Sequence, residues 1–163
     1  MTSCNKTLIA CLGSDFGDDR LGPWAAEALS ERLPTCLVTS LRHPLNLLDD
    51  LADVEDLHIV DACRGAGSPG TILHWEWPTT AVASVKFSGT HDLNLEACLQ
   101  LGEALKVLPP FVTLWGVECG TDPWTFATEM SPEVAAAAPR LIDQIAAHVR
   151  PSDYVEAEAS RNA

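Results

Sequence analysis

The stretch LIACLGSDFGDDRLGPWAAEAL, residues 8–29, decides the fold. With Thr7 it opens on a short apolar run that stops at Gly13, the pattern of a buried strand. A polar turn over residues 14–19 follows. Leu21, Trp24, Ala25, Ala28, Leu29 and Leu33 then recur at helical spacing, and Pro34 stops the helix. A buried strand, a tight turn and a helix in that order are the first step of α/β layering.

The rest of the chain continues the alternation. Residues 36–41 (CLVTSL) read as a second strand, and residues 45–51 as a short helix behind Pro44. Residues 57–61 (LHIVD) read as a third strand with Asp61 at its carboxyl end. Gly65, Gly67 and Gly70 make a glycine-rich turn before a fourth strand, TILHW, over residues 71–75. An amphipathic helix is predicted over residues 93–107, opened by Thr90-His91-Asp92 and ended by Pro109-Pro110. Residues 111–117 (FVTLWGV) are another buried strand. Ser131 as N-cap and Pro132 at the first position start a last helix that runs to about Val149. The alternation predicts a largely parallel sheet in one domain over residues 1–150, followed by a polar tail over 151–163.

Composition narrows the function classes. The formal net charge is -13, which repels a phosphate backbone and an anionic membrane surface alike. Neither nucleic acid nor membrane is an expected partner. No run approaches the roughly 20 apolar residues that cross a bilayer. The amino-terminal apolar stretch enters a Gly/Asp turn and reads as a strand, not a signal peptide, so a cytoplasmic location is expected. The six cysteines form no C-x-x-C pair, which removes the zinc-ribbon and thioredoxin-like readings. Cys11, Cys36 and Cys98 lie in apolar stretches as small hydrophobes, whereas Cys63 and Cys119 follow strands and stand where they would border a site.

In open α/β sheets ligands bind at the carboxyl ends of the strands. Asp18 and Asp19 follow the first strand, Asp61 ends the third, and His91 opens the long helix. Two carboxylates and an imidazole suit a divalent metal of intermediate softness. Simpler roles exist for each. Asp18 or Asp19 would favour the positive end of the following helix, Asp61 would form a strand-end turn, and His91 would be a helix-start residue. His43 follows the second strand and is an outside candidate. His58 and His74 lie within strands, and His148 lies near a helix C-terminus. No G-x-G-x-x-G, G-K-[ST], G-x-S-x-G or H-E-x-x-H pattern is present, so dinucleotide, phosphate-loop, Ser–His–Asp and zinc-helix chemistry lack support.

Five segments, in order, resemble the hydrogenase maturation protease family. Residues 8–29 are similar to its opening strand, turn, acidic pair (Asp18-Asp19), later glycine (Gly22) and helix. HIVDACRGAGSPGTI, residues 58–72, resembles the strand ending in Asp and followed by a Pro-Gly turn. SGTHDLNLEACLQLGEAL, residues 88–105, resembles the Thr-His segment with its Leu-rich helix. FVTLWGVEC, residues 111–119, and MSPEVAAAAPRLI, residues 130–142, resemble the late Gly-Val-Glu strand and the closing Ser-Pro helix. Two turns depart from the pattern: the loop from Gly13 to the acidic pair is one residue short, and Leu41-Arg42-His43-Pro44 replaces an Asp-Gly-Gly-Thr-like turn.

The resemblance implies a three-layer α/β/α sandwich around a mostly parallel twisted sheet of about five strands. It implies an endopeptidase that removes the C-terminal extension of a nickel–iron hydrogenase large-subunit precursor after nickel insertion. Carried over by position, the metal-reading residues are Asp19, Asp61 and His91. The cleavage step is left open by the sequence: the metal polarises the carbonyl or activates water, or Asp19 or Asp18 serves as general base. No resident cofactor is implied, since the nickel arrives with the precursor, and a monomer is expected. Two alternatives stay open: another metal-dependent peptide or amide hydrolase on this fold, and a chaperone that holds the precursor without cutting it.

Overall fold

A computed structural model describes residues 7–87, 94–120 and 128–150. Strand β1 (Thr7–Leu12) is buried along its whole length, as its unbroken apolar run requires. A 3-10 turn, Gly17–Arg20, leads into helix α1 (Leu21–Arg32). Strand β2 (Leu37–Leu41), a 3-10 segment (Pro44–Asp50) and strand β3 (Asp56–Arg64) follow. Then come β4 (Ile72–Glu76), the two-residue β5 (Lys86–Phe87), α2 (Leu95–Ala104), β6 (Phe111–Glu118) and α3 (Pro132–His148).

The strands form a six-stranded sheet in the order β2-β1-β3-β6-β4, with β5 paired to β3. The ladders β1–β2, β1–β3 and β3–β6 are parallel; β4–β6 and β3–β5 are antiparallel. Alternation along the strands sends their side chains to two cores. Ile9, Cys11, Val60, Ala62, Trp115 and Val117 face α1 and α3. Leu8, Ala10, Leu12, Leu57, Ile59 and Leu114 face the other way, against Leu47 and α2. This is the expected α/β/α sandwich around a mostly parallel sheet.

Several boundaries differ from the sequence pattern. β3 does not end at Asp61 but runs on to Arg64, because Asp61 to Cys63 keep their ladder with Gly116 to Glu118 of β6. That extension also supplies the edge on which β5 pairs, giving six strands rather than about five. α2 begins at Leu95, not Leu93, because the Asn94 side chain caps it by accepting from Ala97 N at 2.8 Å. The segment behind Pro44 is a 3-10 helix. Ser131 stands at the N-cap of α3 without a side-chain capping bond, its hydroxyl being engaged elsewhere. The Thr90-His91-Asp92 segment and the tail over 151–163 lie outside the described residues.

Candidate active site

The chain leaves β1 through α1 on one face of the sheet and passes from β3 toward α2 on the other. β1 and β3 are adjacent and parallel, so the crevice at a topological switch point opens between their carboxyl ends. The β1–β3 ladder stops at the pair Cys11–Val60. Asp61 is the next residue of β3, fully buried, where the two strands part.

On the β1 side of that opening the backbone closes a tight loop. Ser14 N donates to Asp19 O and Asp19 N donates to Phe16 O, each at 3.1 Å. The 3-10 turn that carries Asp18 and Asp19 packs against β3. Only glycine tolerates this approach. A Cβ on Gly13 would stand 2.1 Å from Asp19 O, and one on Gly22 2.1 Å from Leu12 O. The glycine pattern of the opening segment therefore seats the acidic turn and the first turn of α1 directly on the end of β1.

The two acids of that turn have different surroundings. Asp18 is buried and accepts three hydrogen bonds, from Ser131 N (2.6 Å), Gly120 N (3.0 Å) and Ser131 Oγ (3.1 Å). It ties the acidic turn to the end of β6 and the start of α3. Asp19 is only partly buried, and its shielded Oδ1 has no hydrogen-bond partner among the described residues. A cavity of about 390 Å³ lies beside the turn, lined by Ser14, Arg20, Pro23, Trp24, Glu129 and Met130 among others.

Glu118 is a structural acid that the sequence pattern did not single out for a role. It is buried at the end of β6, with Oε1 accepting from Gly65 N (3.0 Å) and Oε2 from Ala66 N (2.9 Å). It fixes the start of the glycine-rich turn after β3. Its signal in the sequence is an acid that directly follows a buried apolar strand.

Neither edge cysteine is suited to be a nucleophile, which must be a thiolate. Burial first, and then the nearby Glu118, Cys119 and Asp61, push the Cys63 thiol far up. Burial and Asp18 push Cys119 up to about 12, while Arg64 pulls the other way. Asp18, Arg64, Asp61 and Glu118 all act on this one thiol, which places them around a single end of the sheet.

His91 lies outside the described residues, and among the described residues no group of three or more His, Cys, Asp and Glu side chains could hold a metal ion. His43 stands at the N-cap of the 3-10 helix after β2 and is exposed. Three other histidines gather at the opposite end of the sheet. His58, fully buried, donates from Nε2 to Asp56 Oδ2 and accepts at Nδ1 from Trp115 Nε1, both at 3.1 Å. His148 packs edge-on against His58 and His74, with ring centres 5.9 and 5.1 Å away. Burial and the neighbouring imidazoles lower the His148 pKa. Burial works to raise the Asp56 carboxyl, but the bond from His58 and the guanidinium of Arg150, 3.0 Å away, hold it below its usual value.

A family model described as hydrogenase maturation protease matches residues 42–148. Among solved structures, the [NiFe] hydrogenase maturation protease HybD from Thermococcus kodakarensis superposes with a TM-score of 0.69 at 19% identity, covering 88% of this chain and 99% of that one. The hydrogenase maturating endopeptidase HybD from E. coli gives 0.68 at 23%, covering 85% and 88%. The [NiFe] hydrogenase maturation protease HycI from Thermococcus kodakarensis KOD1 gives 0.67 at 25%, covering 87% and 90%. A search of curated protein sequences finds no match. No helix among the described residues is long and apolar enough to cross a membrane.

Proposed function

From the premise that this chain belongs to the hydrogenase maturation protease family, and is thus an endopeptidase, we propose that it removes the C-terminal extension of a nickel–iron hydrogenase large-subunit precursor once nickel is in place. The observation that carries this is the pair of carboxylates at the switch point, Asp61 where β1 and β3 part and Asp19 in the turn against β3. Asp19, Asp61 and His91 are assigned to reading the nickel that the precursor brings, since nickel accepts both carboxylate and imidazole ligands. Recognition then depends on a contact that only the loaded precursor offers, which couples cutting to metal insertion. Asp19, whose shielded Oδ1 has no hydrogen-bond partner among the described residues, suits the general base that takes a proton from the attacking water. Asp18, which accepts from Gly120 and Ser131, is assigned to holding that turn.

The test is incubation with nickel-loaded and nickel-free precursor, with the new C-terminus read by mass spectrometry. The loaded precursor should be cut and the nickel-free one left intact. Asp19→Asn should lower processing by at least about 100-fold, as loss of a general base does, and Asp61→Asn and His91→Ala should each weaken binding and processing of the loaded precursor. Equal cutting of both precursors would end the nickel-reading assignment. Tight binding with no cutting at all would replace the peptidase with a precursor-holding chaperone.

A further inference from the structure

Arg64 ends β3, on the strand that carries Asp61 and at the same end of the sheet. It is partly buried, and its Nε and Nη2 are shielded from water with no hydrogen-bond partner among the described residues. Desolvating a charged guanidinium without an acceptor is costly, and an orphaned buried donor calls for an explanation. Nε and Nη2 form one edge of the planar group, the edge that meets a carboxylate with two parallel hydrogen bonds.

A second observation points the same way. Arg64 lies opposite Lys86 in the antiparallel β3–β5 ladder. Like charges directly across a ladder repel. The chain has only ten Lys and Arg residues against 23 Asp and Glu, yet two of the ten face each other here. No ion pair to either is seen among the described residues. An anion between them would satisfy the guanidinium edge and relieve the repulsion. Asp18, Asp61 and Glu118 share this end of the sheet and would repel a carboxylate that came to them instead.

We propose that Arg64 and Lys86 form a subsite that binds a carboxylate of the substrate polypeptide, with Arg64 as the positioning residue. The proposal rests on the endopeptidase reading above and names what that site selects. The carboxylate comes from an Asp or Glu side chain of the removed extension or from its free C-terminus. Both present the same two oxygens, so the experiment separates the sources. The subsite holds the extension in register, and the peptide bond is cut elsewhere.

The experiment measures binding and steady-state cleavage of loaded precursor by the wild-type enzyme, Arg64→Ala, Arg64→Lys and Lys86→Ala. Thermal unfolding of each variant is followed in parallel. Precursors are prepared with the acidic residues of the extension changed singly to Asn or Gln, and with the C-terminal carboxylate amidated. Arg64→Ala should raise KM and Kd about tenfold to a hundredfold, the worth of a charge-assisted pair, with kcat nearly unchanged. Arg64→Lys, which keeps the charge without the planar edge, should recover part of the loss. Lys86→Ala, at an exposed position, should raise KM about threefold. One neutralised precursor should show the same loss with wild-type enzyme and no further loss with Arg64→Ala. Its identity tells side chain from C-terminus. A folded Arg64→Ala enzyme with wild-type KM, or additive losses for every neutralised carboxylate, overturns the subsite while leaving the peptidase reading intact. Wild-type enzyme that neither binds nor cuts the precursor overturns both.

Discussion

Asp18 shows how one side chain fixes the local geometry of the candidate site. Its carboxylate gathers Gly120 N, Ser131 N and Ser131 Oγ, which belong to segments more than a hundred residues away in the chain. Replacing it with Ala leaves two backbone donors and a hydroxyl buried without an acceptor, at about 1–3 kcal/mol for each unsatisfied group before relaxation and water entry. Asp18→Ala should therefore lose about 3 kcal/mol in urea unfolding. A variant with an unchanged midpoint would show that these bonds do not hold the turn. The local pattern did not separate Asp18 from Asp19, because nothing in a DD pair tells which acid turns inward; only the family resemblance picked Asp19 for metal reading. The distinction comes from Ser131 and Gly120, which no local pattern connects to the turn. Glu118 was hidden for the same reason: its partners, Gly65 and Ala66, lie on another strand's loop.

At the scale of elements, the β1–turn–α1 unit was legible because its information is local. An apolar run, a polar turn and helical spacing lie consecutively in residues 8–29. The structure adds the reason for Gly22, whose missing Cβ lets α1 sit against the Leu12 carbonyl. Gly22→Ala would place a methyl 2.1 Å from that oxygen and 2.5 Å from its carbon. Backbone atoms cannot rotate away, so α1 must shift as a body. The expected loss is about 3 kcal/mol, the upper part of the range for overpacking, with weakened precursor processing as the acidic turn moves with the helix. Wild-type stability in this variant would mean that helix and strand slide freely. The end of β3 was not legible. Asp61 reads as a terminator, but the ladder to β6 continues past it, and a two-residue β5 leaves no periodicity to detect. The Arg64–Lys86 opposition was therefore invisible in the sequence.

Across the whole molecule, the two ends of the sheet carry different polar groups. Carboxylates gather at the carboxyl end, and three imidazoles with Asp56 and Arg150 at the amino end. The amino-end group sets the response to acid. The His148 pKa is lowered in the folded state, so between that value and the unfolded value of about 6.5 only the unfolded chain takes up the proton. Its contribution to stability is complete above about pH 6.5 and is lost as pH falls through the folded pKa. Asp56 is held low, so its contribution is present above about pH 4 and is lost below that. Urea midpoints should thus be level near neutrality and fall in two steps on acidification. His148→Asn should remove the upper step and keep the lower one. An upper step that survives in this variant would assign it to another group. The cluster escaped detection because its histidines come from β3, β4 and α3. Its one local clue was the Asp56–His58 spacing, which puts both side chains on one face of a strand.

The parallel ladder between β3 and β6 also governs when this chain can become whole. Asp56 pairs with Phe111 and Cys63 with Glu118, so the middle of the sheet joins residues far apart in synthesis. A chain still emerging from the ribosome holds β1, β2 and β3 long before β6 exists. During that interval the inner edge of β3, buried on both faces in the finished protein, has no neighbour on one side. Such late, long-range pairing is slow and leaves an edge open to other chains. Arrested nascent chains that end before residue 111 should accordingly remain protease-sensitive and bind chaperones, and protection should arrive in one step once β6 has cleared the exit tunnel.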